Sequence, residues 1–343
     1  MRKLLNTLYV MTPETYLALE NENIVVMKDD DILGKIPLHT LEQIVYFGYK
    51  GASPSLMGAC AARKIGLCFY RPSGRFLARV VGTTQGNVLL RKEQYRRSDD
   101  KTLSCNIARY FIVGKIFNAR SVLERAKRDH PLNVDVEAIK EVSSSLLHFA
   151  RAARECQDLD RLRGCEGEAA SLYFSVFDTL ILQNKKVFYF EQRRKRPPTD
   201  PVNALLSFAY TVLANDCASS LESVGLDAYV GFLHRDRPGR ISLALDLMEE
   251  LRSIYADRFV LTLLNNRKLN ASHFEQQENG AVLLNDKGRK IFLTDWQERK
   301  KDLITHPFLA EKIPWGLVPF VQSQLLARVL RGDLDEYPAF LWK

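Results

Sequence analysis

The sequence predicts an α+β protein with two domains, because its hydrophobic pattern changes near residue 100. Before that point, short β-prone runs alternate with turns, as where Asn21–Asn23 separates Thr15–Glu20 from Ile24–Met27. After it, apolar residues recur with helical period over long stretches. With 343 residues, of which 46% are hydrophobic and 26% charged, the chain can build two cores and is not globally disordered.

The N-terminal region is expected to be mostly β. A second turn at Lys28–Asp31 precedes Ile32–Ile36, and two tight turns between short apolar runs predict an antiparallel meander. Later elements of this region are apolar runs at Ile44–Phe47, Gly66–Tyr70 and Phe76–Val81 and a short helix over Ser53–Lys64. We expect a β-rich domain over residues 1–95 and a polar linker over residues 96–101.

Residues 102–343 are expected to form a larger α-helical domain. Asp200 and Pro201 are a helix-start signal, with aspartate as the cap and proline in the first turn, and the apolar run after them ends near Gly225. The other predicted helices contain the apolar face of Ile107, Phe111 and Gly114, or cover Val134–Cys156, Leu162–Gln183 and Ser242–Arg252.

Charge and cysteine usage narrow the possible functions. Lys and Arg total 49 against 41 Asp and Glu, and the net charge of +8 favours an anionic partner, nucleic acid ahead of a membrane surface. The longest uncharged apolar stretches, Pro201–Asn215 and Ile313–Ala327, are too short to span a membrane. Met1–Leu5 resembles the start of a signal peptide, but Asn6 and Thr7 interrupt the apolar run, so no signal peptide is expected. Six scattered cysteines without a CxxC pair suit a reducing cytoplasm.

Glu166 is the first candidate for chemistry. It lies between Gly164 and Gly167 near the start of a strongly helical run, and glycine would allow a large ligand to approach the backbone. The alternative is an ordinary acidic residue in the first turn of a helix, where the helix dipole favours negative charge.

The turn Gly231–Arg240 is the second candidate. It contains His234, and histidine is the commonest metal-binding side chain. It also contains Arg235, Arg237 and Arg240, whose guanidinium groups match the geometry of phosphate. The alternatives are a structural histidine and a solvated basic turn.

Asp246 and Glu249 are the third candidate, three residues apart and so on one face of a predicted helix. Two carboxylates on one face repel each other unless a cation or proton lies between them. Glu249 could instead belong to a solvated face with Glu250. Asp246 is flanked by apolar residues, and a carboxylate there is costly to bury without a partner.

Together these residues would form an oxygen-rich site with one imidazole. Its members are Glu166, His234, Asp246 and Glu249. Such a set suits Mg²⁺ or Mn²⁺ rather than zinc, and Mn²⁺ tolerates the histidine best. It typically serves phosphoryl chemistry. The spacing does not by itself bring these segments together.

A basic and aromatic segment at Lys185–Pro198 is a candidate for DNA binding. It carries six positive charges and three aromatic residues. Basic side chains can neutralise phosphates, and aromatic rings can stack on unpaired bases. The basic candidates are Lys185, Lys186, Arg193, Arg194 and Arg196. The alternative is an exposed loop with Phe188 and Phe190 packed into the core.

Three stretches in order resemble the universal CRISPR-associated integrase of spacer acquisition, in wording closest to its type I-C branch. Gly164–Ala170 is similar to the first acidic motif of that family. Arg196–Ser207 is similar to its central Arg-Pro-Pro…Asp-Pro…Asn-Ala-Leu-Leu segment. Leu226–His234 followed by Leu243–Glu249 resembles its histidine and second acidic motif.

The resemblance implies an N-terminal β-sandwich that mediates homodimerisation and an all-α catalytic domain. It implies a metal-dependent endonuclease and integrase that inserts short foreign DNA into the repeat array by attack of a 3′-hydroxyl. It also implies a small companion Cas protein of ferredoxin-like fold, in a heterohexamer, in the cytoplasm.

Carried over by motif, Glu166, His234 and Glu249 would be the metal ligands. Asp246 would be a ligand or a water-positioning group. Many relatives have aspartate where Glu249 stands, so either acid could do more of the coordination. Tyr173, two helical turns after Glu166, would border the site and contact DNA.

Other function classes remain as alternatives. A general metal-dependent phosphodiesterase would hydrolyse DNA or RNA without the companion. A non-catalytic DNA-binding scaffold would bind DNA without turnover. A transcription factor is disfavoured by the lack of a helix-turn-helix or zinc-finger signature.

Overall fold

The computed structural model describes residues 6–12, 14–71, 76–82 and 88–342, so the signal-peptide-like start lies outside the described residues. The chain divides into two compact units. The first comprises Met1–Gly86, Leu284–Asp302 and Pro314–Leu317. The second comprises Asn87–Leu283, Leu303–Ile313 and Val318–Lys343. Over the described ranges, no helix combines the length and apolarity that crossing a membrane requires.

Two sheets make up most of the first unit. The strands are β1 (Thr7–Val10), β2 (Thr15–Glu20), β3 (Asn23–Lys28), β4 (Asp31–Pro37), β5 (Gln43–Phe47), β6 (Gly66–Tyr70) and β7 (Phe76–Val80). Strands β2, β3 and β4 form the expected antiparallel meander. The other sheet has the order β1-β5-β6-β7, in which β5 is parallel to both β1 and β6. The sequence patterns did not indicate these parallel pairs.

Helix α1 (Pro54–Arg63) connects β5 to β6, because parallel neighbours need a crossover between them. The Ser53 hydroxyl caps it by accepting the Leu56 N–H at 3.2 Å. Both sheets and α1 contribute to one apolar core, with Leu17, Ile44 and Leu56 fully buried. The unit is therefore a two-sheet arrangement with a helix in its core, in agreement with the mixed α+β prediction.

The second unit is mainly helical. Its helices are α2 (Val88–Asp99), α3 (Lys101–Asp129), α4 (Val136–Glu155), α5 (Leu159–Ser175), α6 (Pro201–Ser223), α7 (Ser242–Glu249), a π-helical turn (Arg252–Asp257) and α8 (Arg258–Asn265). Helix α9 (Asp286–Lys301) belongs to the first unit, and α10 (Val318–Arg331) returns to the second.

Three expectations for this region need correction. The linker expected over residues 96–101 is helical except at Asp100, whose carboxylate caps α3 by accepting the Thr102 and Leu103 N–H groups at 2.8 and 2.9 Å. The helix expected to reach Gln183 ends at Ser175 and a short 3₁₀ turn follows, because the Asp178 carboxylate instead accepts the Phe190 N–H at 2.7 Å.

The all-α expectation also omitted four short strands. These are β8 (Phe274–Gln276), β9 (Val282–Leu284), β10 (Leu303–Thr305) and β11 (Lys312–Pro314), paired as β8 with β9 and β10 with β11. Each has only three residues, too few for an alternating hydrophobic pattern to be recognised.

Asn203 fastens the basic segment to the start of α6. Its backbone N–H is capped by Asp200 at 2.8 Å, as the Asp-Pro signal predicts. Its side-chain oxygen accepts from the Arg193 guanidinium at 2.7 Å and the Arg194 N–H at 2.9 Å. Its amide nitrogen donates to the Gln192 carbonyl at 2.9 Å. Buried polar atoms need such partners, so Asn203 fixes the path of the chain before α6.

The turn that contains His234 is held against α7 by Asp246. The fully buried Asp246 carboxylate accepts the backbone N–H groups of Phe232, Leu233 and His234 at 2.6, 2.9 and 3.0 Å. Gly231 makes this approach possible, because a Cβ there would lie 2.7 Å from Asp246 Oδ2 and 2.9 Å from Ser242 Cβ. A buried carboxylate in an apolar helix thus finds its partners in the backbone of the turn.

We expect Gly231→Ala to destabilise the protein by roughly 1–3 kcal/mol, because overpacking must displace the turn or Asp246. Urea unfolding of the full chain measures it. Gly164→Ala is the matched control: it lies in α5 with open space around its Cβ position and should be stabilising by about 0.4–1 kcal/mol. Equal stability of wild type and Gly231→Ala would contradict the close approach.

Candidate active site

Residues from four segments of the second unit meet at one place. Glu166 is contributed by α5, His234 by the turn before α7, Glu249 by the end of α7 and Lys115 by α3. The structure therefore brings the predicted residues together. Glu166 lies in the middle of α5, which begins at Leu159. Its interpretation as a first-turn acidic residue is wrong.

Lys115 joins the two glutamates. Its ammonium group forms ion pairs with the Glu166 carboxylate and with Glu249 Oε2, the latter at 2.7 Å. Arg252 pairs with the other Glu249 oxygen at 3.0 Å. Only 3% of the Glu249 side chain is exposed, against 27% for Glu166. Two carboxylates from separate helices thus share one cation.

Glu249 is ionised at neutral pH despite its burial. Burial raises the pKa of its carboxyl, but Arg252, Lys115 and His234 outweigh that effect and hold the pKa at about 2. An ionised carboxylate is the form that binds a metal ion. A buried charge of this kind is tolerated because its cationic partners compensate for lost hydration.

His234 is oriented by Asp246. The ring Nδ1 lies 2.5 Å from Asp246 Oδ1, and Nε2 lies 3.9 Å from Glu249 Oε1. A carboxylate on Nδ1 favours the tautomer whose Nε2 carries the lone pair and can bind a metal. Both Asp246 oxygens accept hydrogen bonds from the turn. The geometry therefore places Glu249, rather than Asp246, beside Glu166.

Arg163 ties α5 to the histidine turn, a link that the sequence patterns did not indicate. Its guanidinium donates to the Leu233 carbonyl at 2.9 and 2.6 Å. The residue lies three positions before Glu166. The helix that carries Glu166 and the turn that carries His234 are thus held at a fixed distance.

A cavity of about 480 Å³ adjoins the site and is lined by basic and aromatic side chains. Tyr210 is central to one wall: its hydroxyl donates to Asp257 at 2.6 Å, and the guanidinium groups of Arg193 and Arg252 lie 5.3 and 5.0 Å from its ring centroid. Burial raises the pKa of Asp257 to about 6 despite these partners. Lys115, Glu166, Tyr173, Lys195 and Ser253 also line the cavity.

The predicted DNA-binding residues fall into three groups. Tyr173 and Arg193 line the cavity, and Tyr173 is almost fully buried. Three others pair with acids: Lys185 with Asp178 at 2.7 Å, Arg235 with Asp160 at 2.9 Å and the exposed Arg194 with Glu191 at 3.4 Å. Those remaining are Lys186, Arg196 and Arg237, which are exposed, and Arg240, which is half-buried.

The three aromatic residues of the basic segment do not form one exposed surface on which bases could stack. Phe188 and Phe190 are buried, and Phe190 stacks on Phe174 with ring centroids 5.4 Å apart. This confirms the alternative in which both rings pack into the core. Tyr189 stays 49% exposed.

Sequence reasoning missed Lys115, Arg252 and Tyr210. Lys115 did carry a signal, since it is a lone charge within the apolar run Ile112–Phe117. Arg252 stands three residues after Glu249, at ion-pair spacing on a helix. The π-helical turn that begins at Arg252 is a second signal, visible only in the structure, because such turns are frequent at functional sites.

Among the described residues, no group of three or more His, Cys, Asp and Glu side chains is close enough to hold a metal ion as the side chains stand. The donors are nevertheless of the right kind. Glu166 and Glu249 converge on one cation, and His234 Nε2 is beside them. Carboxylates with one imidazole fit Mn²⁺ or Mg²⁺.

Solved structures share the fold. A CAS1 protein from Thermotoga maritima superposes with a TM-score of 0.83 at 22% identity, covering 97% of this chain and 99% of that one. A casposase bound to integration product superposes with a TM-score of 0.83 at 20% identity, covering 98% and 93%.

Sequence comparisons identify the family. CRISPR-associated endonuclease Cas1 2 of Rhodospirillum rubrum is 52% identical over 347 residues, covering all of both chains. CRISPR-associated endonuclease Cas1 1 of Chlorobaculum tepidum is 47% identical over 343 residues, again covering both chains fully. Residues 8–298 match the family model of CRISPR associated protein Cas1. The chain therefore belongs to the Cas1 family of CRISPR-associated proteins.

Proposed function

We propose that this protein is a divalent-metal-dependent DNA endonuclease and integrase that joins short DNA to the CRISPR repeat array. One observation carries the proposal: Glu166 and Glu249, from separate helices, share one cation position with His234 Nε2 beside it. The relatives' names as CRISPR-associated endonucleases support it. The type I-C assignment stays a prediction.

Glu166, His234 and Glu249 would hold the metal ion, with Mn²⁺ or Mg²⁺ as the candidates. A divalent ion bound there supplies a Lewis acid for the attacking hydroxyl and the leaving oxygen. Asp246 would act as a positioning residue, because it orients the His234 ring and its backbone. Lys115 would compete with the metal ion for the same carboxylates. Once a metal ion displaced it, its ammonium group could pair with a DNA phosphate.

In the joining reaction, a DNA 3′-oxygen forms a new bond to a phosphorus atom of the repeat. The bond from that phosphorus to the repeat's own 3′-oxygen breaks, and the proton lost by the attacking hydroxyl is balanced by one gained by the leaving oxygen. Endonuclease cleavage follows the same course with water as the attacking group. Arg252 and Lys115 add positive charge at the place where the phosphate would lie.

The cavity beside the site supports binding of an unpaired nucleotide. Its volume of about 480 Å³ and its tyrosines suit a base. Arg193, Lys195 and Arg252 supply the charge for its phosphate. Tyr173 borders this cavity together with Glu166. The exposed basic residues Lys186, Arg194, Arg196 and Arg237 would contact the DNA backbone, and Lys185, Arg235 and Arg240 remain candidates beside them.

The assembly follows from the family resemblance. We propose a homodimer formed through the β-rich N-terminal domain, the second domain being catalytic. A small companion Cas protein would complete a heterohexamer on double-stranded and single-stranded DNA. One solved structure with the same fold is titled as a Cas6-RT-Cas1–Cas2 complex, which names such a companion for that protein.

Glu166→Gln should lower the rate of strand transfer by roughly 100-fold or more, because it removes a negative charge at the cation position. The assay joins a short duplex to a supercoiled repeat-bearing plasmid with the companion protein in Mn²⁺. Glu168→Gln is the matched control, an exposed glutamate on the same helix. EDTA should stop the wild-type reaction.

Joining by Glu166→Gln at the wild-type rate would overturn the site. If wild type binds DNA but shows no metal-dependent joining or cleavage, the alternative of a non-catalytic DNA-binding scaffold would be favoured. Hydrolysis without the companion and without preference for repeat DNA would favour a general phosphodiesterase.

Arg237→Glu should weaken DNA binding and reduce the slope of log affinity against log salt concentration by about one unit, since one phosphate contact is lost. Fluorescence anisotropy over a range of salt concentrations measures this. Lys140→Glu, an exposed charge reversal on α4, serves as the control. An unchanged slope in Arg237→Glu would remove this residue from the DNA interface.

A further inference from the structure

A buried polar cluster surrounds Glu250, the residue after Glu249. Its carboxylate is fully buried and accepts from the Tyr337 hydroxyl at 2.5 Å, the Gln322 amide at 2.9 Å and the Phe340 N–H at 2.8 Å. The carboxylate of Glu249 pairs instead with Lys115 and Arg252. Two neighbouring carboxylates thus have separate sets of partners, and the proposed reaction uses only one of them.

Asn118 links the same cluster to α3. Its amide donates to the Glu250 carbonyl at 2.7 Å and to the Phe340 carbonyl at 2.6 Å, and its oxygen accepts the Trp342 N–H at 2.8 Å. Asn118 is fully buried and stands three residues after Lys115 on the helix. A single side chain therefore joins α3, the end of α7 and the segment Tyr337–Trp342.

The segment Tyr337–Trp342 has two further contacts with neighbouring helices. The Arg258 guanidinium lies 4.2 Å from a Trp342 ring centroid, and that of Arg125 lies 5.3 Å away. Arg258 begins α8 directly after the π-helical turn, and Arg125 belongs to α3. Cation–π contacts of this kind fasten the segment on both sides.

Gly114 brings the cluster against the active site. A Cβ at Gly114 would lie 2.9 Å from Glu250 Cβ and 3.4 Å from Ala339 Cβ, so α3 packs closely on both. Gly114 precedes Lys115, and Glu250 follows Glu249. Both partners of the Lys115–Glu249 ion pair are thus one residue from a contact of this cluster.

We propose that the segment Tyr337–Trp342, acting through Glu250 and Asn118, is a positioning element that sets the distance between Lys115 and Glu249 and so aligns the site for DNA strand transfer. This inference rests on the proposed function. A purely stabilising contact could be apolar, since replacing buried polar groups by packed apolar ones is often neutral or stabilising. The cluster instead uses directed hydrogen bonds that define one geometry.

The test uses Tyr337→Phe, which removes one hydroxyl and keeps the ring. Turnover at saturating DNA and Mn²⁺ should fall about tenfold, as for loss of other outer contacts of a metal site. The Kd for DNA should stay within about twofold, because none of the residues proposed to contact DNA belongs to the segment. Mn²⁺ binding measured without DNA should weaken, because Glu249 would no longer be held in place beside Glu166 and His234. Glu250→Gln, which keeps the shape of the side chain, should retain more activity than Glu250→Ala.

Val142→Ala is the control for stability alone, since it removes buried volume in α4, which contributes no residue to the cluster. We expect Val142→Ala to keep wild-type turnover while its thermal stability falls by about as much as that of Tyr337→Phe. Wild-type turnover and Mn²⁺ binding in Tyr337→Phe would overturn the positioning role. An equal loss of turnover in Val142→Ala would also overturn it. An inactive wild type would instead contradict the proposed function.

Discussion

The buried charge of Glu249 is the constraint on which the site depends. Its carboxylate is almost fully buried, and its ionisation is sustained by Arg252, Lys115 and His234. Removing one partner of a buried ion pair typically lowers the stability of a protein by about 3–5 kcal/mol. The folded protein therefore needs these side chains beside Glu249 at the same time. Helix α3, the histidine turn and the π-helical turn each deliver one of them. These three elements are thus held together at the site around a single carboxylate.

Two sets of hydrogen bonds, from Asp246 and from Arg163, fix the positions of the other site residues. Asp246 uses its buried oxygens to hold the backbone of the histidine turn and the His234 ring together. Gly231 allows this approach because it has no side chain. Arg163 then fixes the turn to the helix that carries Glu166. Catalytic groups held by such supporting contacts need little reorganisation when the substrate binds.

Much of this could be predicted from the sequence, for reasons that differ by element. The Asp200-Pro201 cap and the meander near residues 15–37 are local signals, and both are confirmed. Glu166, His234 and Glu249 were predicted as site residues because their motifs are distinctive, and the structure places them close together. Lys115 and Tyr210 were missed because their roles depend on contacts between distant segments. The linker at residues 96–101 was misread because a charged, exposed helix end has the composition of a linker.

We propose that Glu166 and Glu249 share one metal position, where Lys115 lies in this structure. The decisive experiment is a calorimetric titration of the metal-free protein with Mn²⁺ in the absence of DNA. We expect that wild type binds Mn²⁺, that Glu249→Gln does not, and that Lys115→Met binds more tightly because a competing positive charge is gone. Wild-type Mn²⁺ affinity in Glu249→Gln, or weaker Mn²⁺ binding in Lys115→Met, would show that the two glutamates do not share a metal ion.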